Sequence, residues 1–179
     1  RFLELADNSE DLYFSRDGLS GAMLYISPAY ERLWGFSCES LYANPETYLD
    51  AVHPADRDAV IGAYATNRSG LATEIEYRLV LASGEVRWVR VHSHPVIGEA
   101  GQIERVVGTA HDITFQKRAA EALASTARAL EMLSLCNRAL TRMEDERQLL
   151  AEICRLAVDV GGYRMAWVGY AREDEASSI

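Results

Sequence analysis

Lysine is nearly missing from this chain: Lys117 is the only one, and arginine supplies the rest of the eighteen basic residues. Against 27 acidic residues they leave a formal net charge of −9. Gripping a phosphate backbone takes a basic face, so nucleic acid is a poor partner for this chain. Cysteine is scarce too, and Cys38, Cys136 and Cys154 stand far apart with no CxxC spacing. That argues against a disulfide framework or a zinc site and points to a reducing cytoplasm. No apolar run approaches the roughly 20 residues that cross a bilayer. The opening RFLELADNSEDL is too polar for a secretory leader. Because it opens on Arg1 rather than Met, the chain reads as a piece of a longer protein. Nucleophile–base patterns, glycine-rich phosphate loops and paired-carboxylate motifs are all missing. Gly161-Gly162 follows a helical stretch, the reverse of a phosphate cradle. The sequence reads as non-catalytic.

What is present is a globular composition, 49% hydrophobic and 25% charged, arranged with clear periods. Phe2, Leu3 and Leu5 form the apolar side of a short helix. DLYFSRDGLSGAMLYIS predicts strands over 11–16 and 22–26 around a Gly-Leu-Ser-Gly turn. In SPAYERLWG, Ser27 is placed to cap a helix, Pro28 suits its first position and Gly35 ends it. Ser37 can cap the next helix, and Asn44-Pro45 repeats the device. Pro54 opens a helix over 55–66 with Val60, Ile61 and Tyr64 on one face. From residue 72 the period becomes two: Ile75, Tyr77, Leu79 and Leu81 alternate with Glu74, Glu76 and Arg78. A Ser83-Gly84 turn leads to a strand over 86–96, and a third strand spans 103–112. This order predicts an α+β fold, a five-stranded antiparallel sheet with short helices on one face.

After Thr114 the period changes again, to a helix running to about Arg142. Leu123, Leu130 and Asn137 lie seven apart, as do Ala119, Thr126, Leu133 and Leu140. A helix with so narrow an apolar stripe has no body of its own to pack on and is stable chiefly as a parallel pair. Asn137 either fixes the register of a two-stranded pair or marks where the seam fades. Asp145 and Gln148 then stand at capping-box spacing. The helix they start has Leu149, Ile153, Leu156, Ala157 and Val160 on one face and stops at Gly161-Gly162. YRMAWVGYA, residues 163–171, predicts a strand apolar on both faces except at Arg164.

MLYISPAYERLWGFS, VHPADRD, EIEYRLVLASGEVRWVRVHSHPV and VGTAHDITFQKRAAE, in that order within residues 11–118, resemble a PAS domain with its C-terminal extension motif. LLAEICRLAVDVGGYRMAWVGYARED resembles the opening helix and strand of a GAF domain, too short a piece to bury a core alone. It is expected to lean on the connector helix or on a second copy. The resemblance implies a PAS sensor domain over 1–116, a connector helix over 117–143 and a truncated GAF start over 144–179. It also implies a signal junction at Asp112 and Thr114, with Thr114 able to cap the helix and Asp112 taking a hydrogen bond or an arginine. The connector would form a homodimer along Leu123, Leu130, Leu133, Asn137 and Leu140. A bacterial histidine kinase is the first output implied, a diguanylate cyclase the second. Haem-binding relatives carry an axial histidine on the helix that here spans 55–66, and that stretch has none. Light-sensing relatives carry an NCRFLQ-like motif, which Cys38 in GFSCES lacks. The cofactor is therefore left unassigned.

His92 and His94 share a strand face near His111, but a third and fourth zinc ligand are missing. They read as polar positions on a solvated or interface-facing surface. His53 before Pro54 reads as a helix cap, and Cys38 as a partly buried thiol. Tyr25, Tyr30, Trp34, Tyr64 and Tyr77, with Tyr42 and Tyr48, crowd the half that covers the sheet. They either wall a pocket for a small aromatic or carboxylate ligand or fill a core, and their periods favour packing.

Overall fold

A computed structural model of the chain describes residues 6–142 and 144–169. The expected helix face of Phe2, Leu3 and Leu5 lies outside them. Strands β1 (Leu12–Asp17) and β2 (Met23–Ile26) are followed by helices α1 (Ala29–Trp34) and α2 (Cys38–Ala43). Two single 3₁₀ turns, Thr47–Asp50 and Pro54–Asp56, lead into α3 (Arg57–Arg68). Then come β3 (Thr73–Val80), β4 (Val86–Ile97), β5 (Ile103–Asp112), α4 (Thr114–Arg142) and α5 (Glu146–Asp159). The chain divides into two units, Arg1–Lys117 and Arg118–Ile179.

In the first unit the sheet runs β2-β1-β5-β4-β3, with every neighbour antiparallel. β1 thus lies in the interior beside β5, and the last strand closes the sheet against the first. Alternation turns Tyr77, Leu79, Val89, Val106 and Ala110 inward, where they meet Tyr30, Trp34, Leu41 and Val52 from the helical layer. Fully burying each large apolar side chain stabilises by about 1.5–3 kcal/mol. Gly108 is required where β5 passes β1 and β4: a Cβ there would sit 2.4 Å from both the His92 carbonyl oxygen and the Phe14 ring.

Capping matches the sequence pattern at three helix starts. The Ser37 hydroxyl accepts from the Ser40 amide, His53 Nδ1 from the Ala55 amide, and Asp145 from the amides of Arg147 and Gln148. Ser27 departs from its expected role. It is wholly buried, and its hydroxyl accepts from the Tyr13 amide at 3.0 Å, so it ties β1 to the turn before α1. Pro28 takes the cap position without a side-chain bond. A neighbouring strand end offered the stronger donor, and local helix chemistry lost to it.

The second unit is a helical hairpin. Half-buried Met132, Leu135 and Cys136 and buried Ala139 share one face of α4. On α5, Leu156 and Ala157 are buried and Leu149, Ile153 and Val160 are half-buried, the face expected from the sequence. Gly162 adopts a φ of 75° after the helix, and a Cβ on Gly161 would fall 2.7 Å from Met132 Sδ. The expected strand over 163–171 is a correction. Residues 163–169 have no strand structure, Trp167 is 73% exposed, and the remainder lies outside the described residues. An apolar strand needs neighbours on both edges, and the described residues provide none.

Asp56 anchors the start of α3 to β3. Its carboxylate accepts from the Arg78 amide at 3.0 Å, from Nε at 2.9 Å and from Nη2 at 2.6 Å. The Arg78 side-chain bonds pull the Asp56 carboxyl from its ordinary 3.8 down to about 2. A depressed carboxylate stabilises fully above its unfolded value and loses that contribution as pH falls through the folded one. Asp56→Asn should therefore lower the melting temperature at pH 7, with the gap to the parent closing as pH falls from about 4 toward about 2. A gap that stays constant across that range in thermal melts would show that the charge is not what anchors the helix.

Candidate functional site

A cavity of about 80 Å³ lies between the sheet and the helices of the first unit. Tyr30, Trp34, Tyr64 and Tyr77 line it, and Tyr48 joins them. Tyr30 stacks on Trp34 with ring centres 5.6 Å apart, and Trp34 meets Tyr77 edge-on at 6.5 Å. Burial pushes the Tyr30, Tyr48 and Tyr77 phenols up, partly offset by the nearby Arg16. Tyr25 is not part of this wall. It stands opposite Ser15 on β1, and its hydroxyl donates to Asp7 at 2.7 Å. Desolvation and that bond push its phenol up to about 12. On a strand one step changes the face, and Tyr25 falls on the wrong one. The Tyr42 hydroxyl likewise accepts from the Ile26 amide at 3.2 Å, and the residue is 47% exposed.

The cavity contains one side chain that the sequence reading overlooked. Arg16 is only 8% exposed and projects inward with Leu12 and Phe14. The β1–β2 register shifts beside it, with Leu24 of β2 as the extra residue, while β1 keeps an unbroken register with β5, so Arg16 holds the alternation of β1. Its guanidinium carbon sits 4.5 Å from the Tyr48 ring centre and 5.4 Å from that of Tyr64, and Nη2 donates to the Pro45 carbonyl at 2.9 Å. The signal was present in DLYFSRD, where period two puts Arg16 in line with Leu12 and Phe14. Gly21, at φ 75°, makes room for the Tyr64 hydroxyl, which would lie 2.5 Å from a Cβ.

Other polar groups on the wall satisfy one another. Asn67 Nδ2 donates to the Leu71 carbonyl at 2.9 Å, Ser93 Oγ donates to Asn67 Oδ1 at 2.7 Å, and Thr73 and Ser93 hydroxyls lie 2.8 Å apart. Cys38 is half-buried, and desolvation followed by Glu31 pushes its thiol up, away from nucleophilic use.

The outer sheet face is charged. His92 Nε2 is 3.6 Å from Glu74, His111 Nδ1 is 2.7 Å from Asp11, and the two imidazoles meet edge-on at 6.2 Å. At the end of this face β5 turns into α4. The Asp112 carboxylate accepts from the Thr114 amide at 2.8 Å, while the Thr114 hydroxyl accepts from the Trp88 amide on β4 at 2.9 Å. Asp112 thus takes a hydrogen bond as expected, from the first amide of the helix, whereas the Thr114 hydroxyl fastens the helix to the sheet rather than capping it. One turn on, the Lys117 ammonium reaches Glu76 at 2.5 Å and lies 4.9 Å from the Trp88 ring centre. Arg90 holds the other Glu76 oxygen at 2.8 Å, and Lys117 and then Arg90 pull that carboxyl down. Further along α4, Leu123, Leu130, Leu133 and Leu140 are 72%, 62%, 59% and 54% exposed. Asn137 is exposed with them, away from the face that packs in the hairpin.

Residues 23–110 match a family model described as the PAS fold. A solved domain of the candidate light and redox sensing histidine kinase from Haloarcula marismortui is 32% identical, with a TM-score of 0.54. The match covers 64% of this chain and 98% of that one.

The chain belongs to the PAS-fold family.

The N-terminal domain of a diguanylate cyclase with PAS/PAC sensor from Marinobacter aquaeolei is 25% identical, with a TM-score of 0.55 over 60% of this chain and 98% of that one. Among curated relatives, the blue-light-activated histidine kinase of Brucella ovis is 31% identical over 60% of this chain. The chain spans only 21% of that kinase, and light activation is a property of that protein. This PAS domain is thus related to sensor domains of histidine kinases and diguanylate cyclases, with the curated relatives favouring the kinase. Among the described residues no helix is long and apolar enough to cross a membrane.

In this PAS domain Thr114→Val removes the only side-chain oxygen on the Trp88 amide while keeping the side chain's shape. It should cost about 1–3 kcal/mol, the penalty of an orphaned donor. An unchanged urea midpoint would show that the junction does not depend on this bond.

Proposed function

We propose that the chain is the sensory and relay segment of a cytoplasmic bacterial signalling protein. Its PAS body receives a ligand or partner contact, and α4, paired with α4 of a second copy, carries the change to an output domain. The observation that supports this most is α4 itself. It grows directly from the last strand, is tied at its root to β4 through Thr114, and presents its leucines to solvent. A row of exposed leucines on a two-faced helix is stabilised by a second such row. Asp112 and Thr114 would act as the junction, and Leu123, Leu130, Leu133, Asn137 and Leu140 as the seam.

The relay is a population shift between two arrangements of the pair. The similarity to kinase sensor domains supports a histidine kinase as output. The Marinobacter aquaeolei domain supports a diguanylate cyclase as the second reading. Residues 145–179 fit the opening of a GAF domain in sequence, completed in the longer chain. The segment itself performs no chemistry in this reading.

Leu130→Asp should halve the mass measured by light scattering while the far-ultraviolet dichroism of the PAS body persists, because it puts charge into the shared stripe. An unchanged dimer mass rejects this seam, and a monomeric parent rejects the pairing altogether.

A further inference from the structure

Arg16 is a buried cation that no anion among the described residues offsets. It is 92% removed from solvent, since only 8% of it is exposed. Among the described residues its hydrogen-bond partners are neutral, the Pro45 carbonyl and the Tyr48 side chain, and no carboxylate pairs with it. Arginine does not escape this cost by losing its proton. A buried cation is ordinarily kept by an anion. Tyr48 and Tyr64 lie against the guanidinium, and Pro45 and Tyr48 together use only part of its five N–H donors, none of them with an anion.

Two further donors on the same cavity wall lack acceptors. The Tyr30 hydroxyl and Trp34 Nε1 are fully buried, and among the described residues neither has a hydrogen-bond partner. Tyr30 is 1% exposed and Trp34 4%. Buried polar groups are paired in nine cases or more out of about ten, so two orphans lining one cavity with a buried cation that lacks an anion call for an explanation. The polar cluster of Asn67, Thr73 and Ser93, which also lines the cavity, is satisfied internally, so the shortage belongs to Arg16, Tyr30 and Trp34. All the unmet demand is of one kind: a positive charge and N–H or O–H donors, with acceptors lacking.

We propose that the cavity is a binding site for a short-chain monocarboxylate, its carboxylate held by Arg16, Tyr30 and Trp34 and its hydrocarbon end against Leu12 and Val106. The size of the cavity decides the class. An apolar cavity of about 150 Å³ accepts benzene, and this one is about 80 Å³. A molecule the size of propionate fits that space. The inference rests on the sensor reading above and names the ligand class for it.

The test is a titration of the whole chain with sodium propionate, alongside sodium chloride at equal ionic strength and propionamide, which has the same shape without the charge. Melting temperature and calorimetric heat are read. Propionate should give a saturable upward shift, and chloride and propionamide none. Arg16→Met keeps the length of the side chain, removes the unpaired buried charge and should stay folded while losing the response. Tyr30→Phe, which deletes only the hydroxyl, should weaken propionate by about tenfold and keeps the test sound if the arginine variant does not fold.

Equal shifts from propionate and propionamide, or a response that survives in Arg16→Met or is undiminished in Tyr30→Phe, would overturn the assignment. So would the absence of any saturable response to propionate. In that last case the dimer mass of the same sample still reports on the relay, so the two readings fail separately.

Discussion

The bond from the Trp88 amide to the Thr114 hydroxyl joins the middle of the sheet to the first residue of a 29-residue helix. Around it the chain arranges a second, electrostatic layer. Lys117, the only lysine, reaches from the first turn of α4 to Glu76 on β3 and covers the Trp88 ring. Arg78 approaches the same ring within 5.6 Å and is itself held by Asp56 at the start of α3. An exposed ion pair alone adds little, but here the pairs converge on one aromatic ring beside a hydrogen bond to backbone. The helix root is therefore linked, in a few steps, to the helical layer that roofs the cavity.

That linkage gives the interior a means of reaching the helix. Tyr77 and Leu79 of β3 face inward beside Trp34, while Glu76 and Arg78, between and next to them, face outward beside Trp88. Alternation along one strand puts the cavity wall and the helix anchor on opposite sides of the same backbone. In the proposed relay, a ligand that favours one packing of the inner residues would bias the outer set. Its differential affinity for the two arrangements limits how far the helix equilibrium can shift.

Much of the fold was legible because it is local or strictly periodic. The third meander strand and α4 occupy the residues their periods predict, and Gly35 and Gly84 take the left-handed turns assigned to them. The misreadings share a cause. Ser27 has the chemistry of a cap and a position where a strand amide claims it. Tyr25 belongs to an aromatic cluster in sequence but to the opposite face in register. The Thr114 hydroxyl is taken by a tertiary donor, the Trp88 amide, instead of the helix end. Arg16 went unnoticed because charge is expected outside, although its period said otherwise. Residues 163–169 carry a strand's composition without the neighbours a strand requires.

The central claim is that two copies of α4 run side by side in parallel, rooted in their PAS bodies. The most direct measurement is the electron–electron dipolar distance between spin labels at Ala120→Cys, with Cys38, Cys136 and Cys154 replaced. At about 1.5 Å per residue the helix is about 44 Å long, so position 120 lies close to its twin only in a parallel pair with its axes about 10 Å apart. The account predicts one narrow, short intermolecular distance that changes when propionate is added. A long distance of an antiparallel pair, or no intermolecular signal, would contradict it.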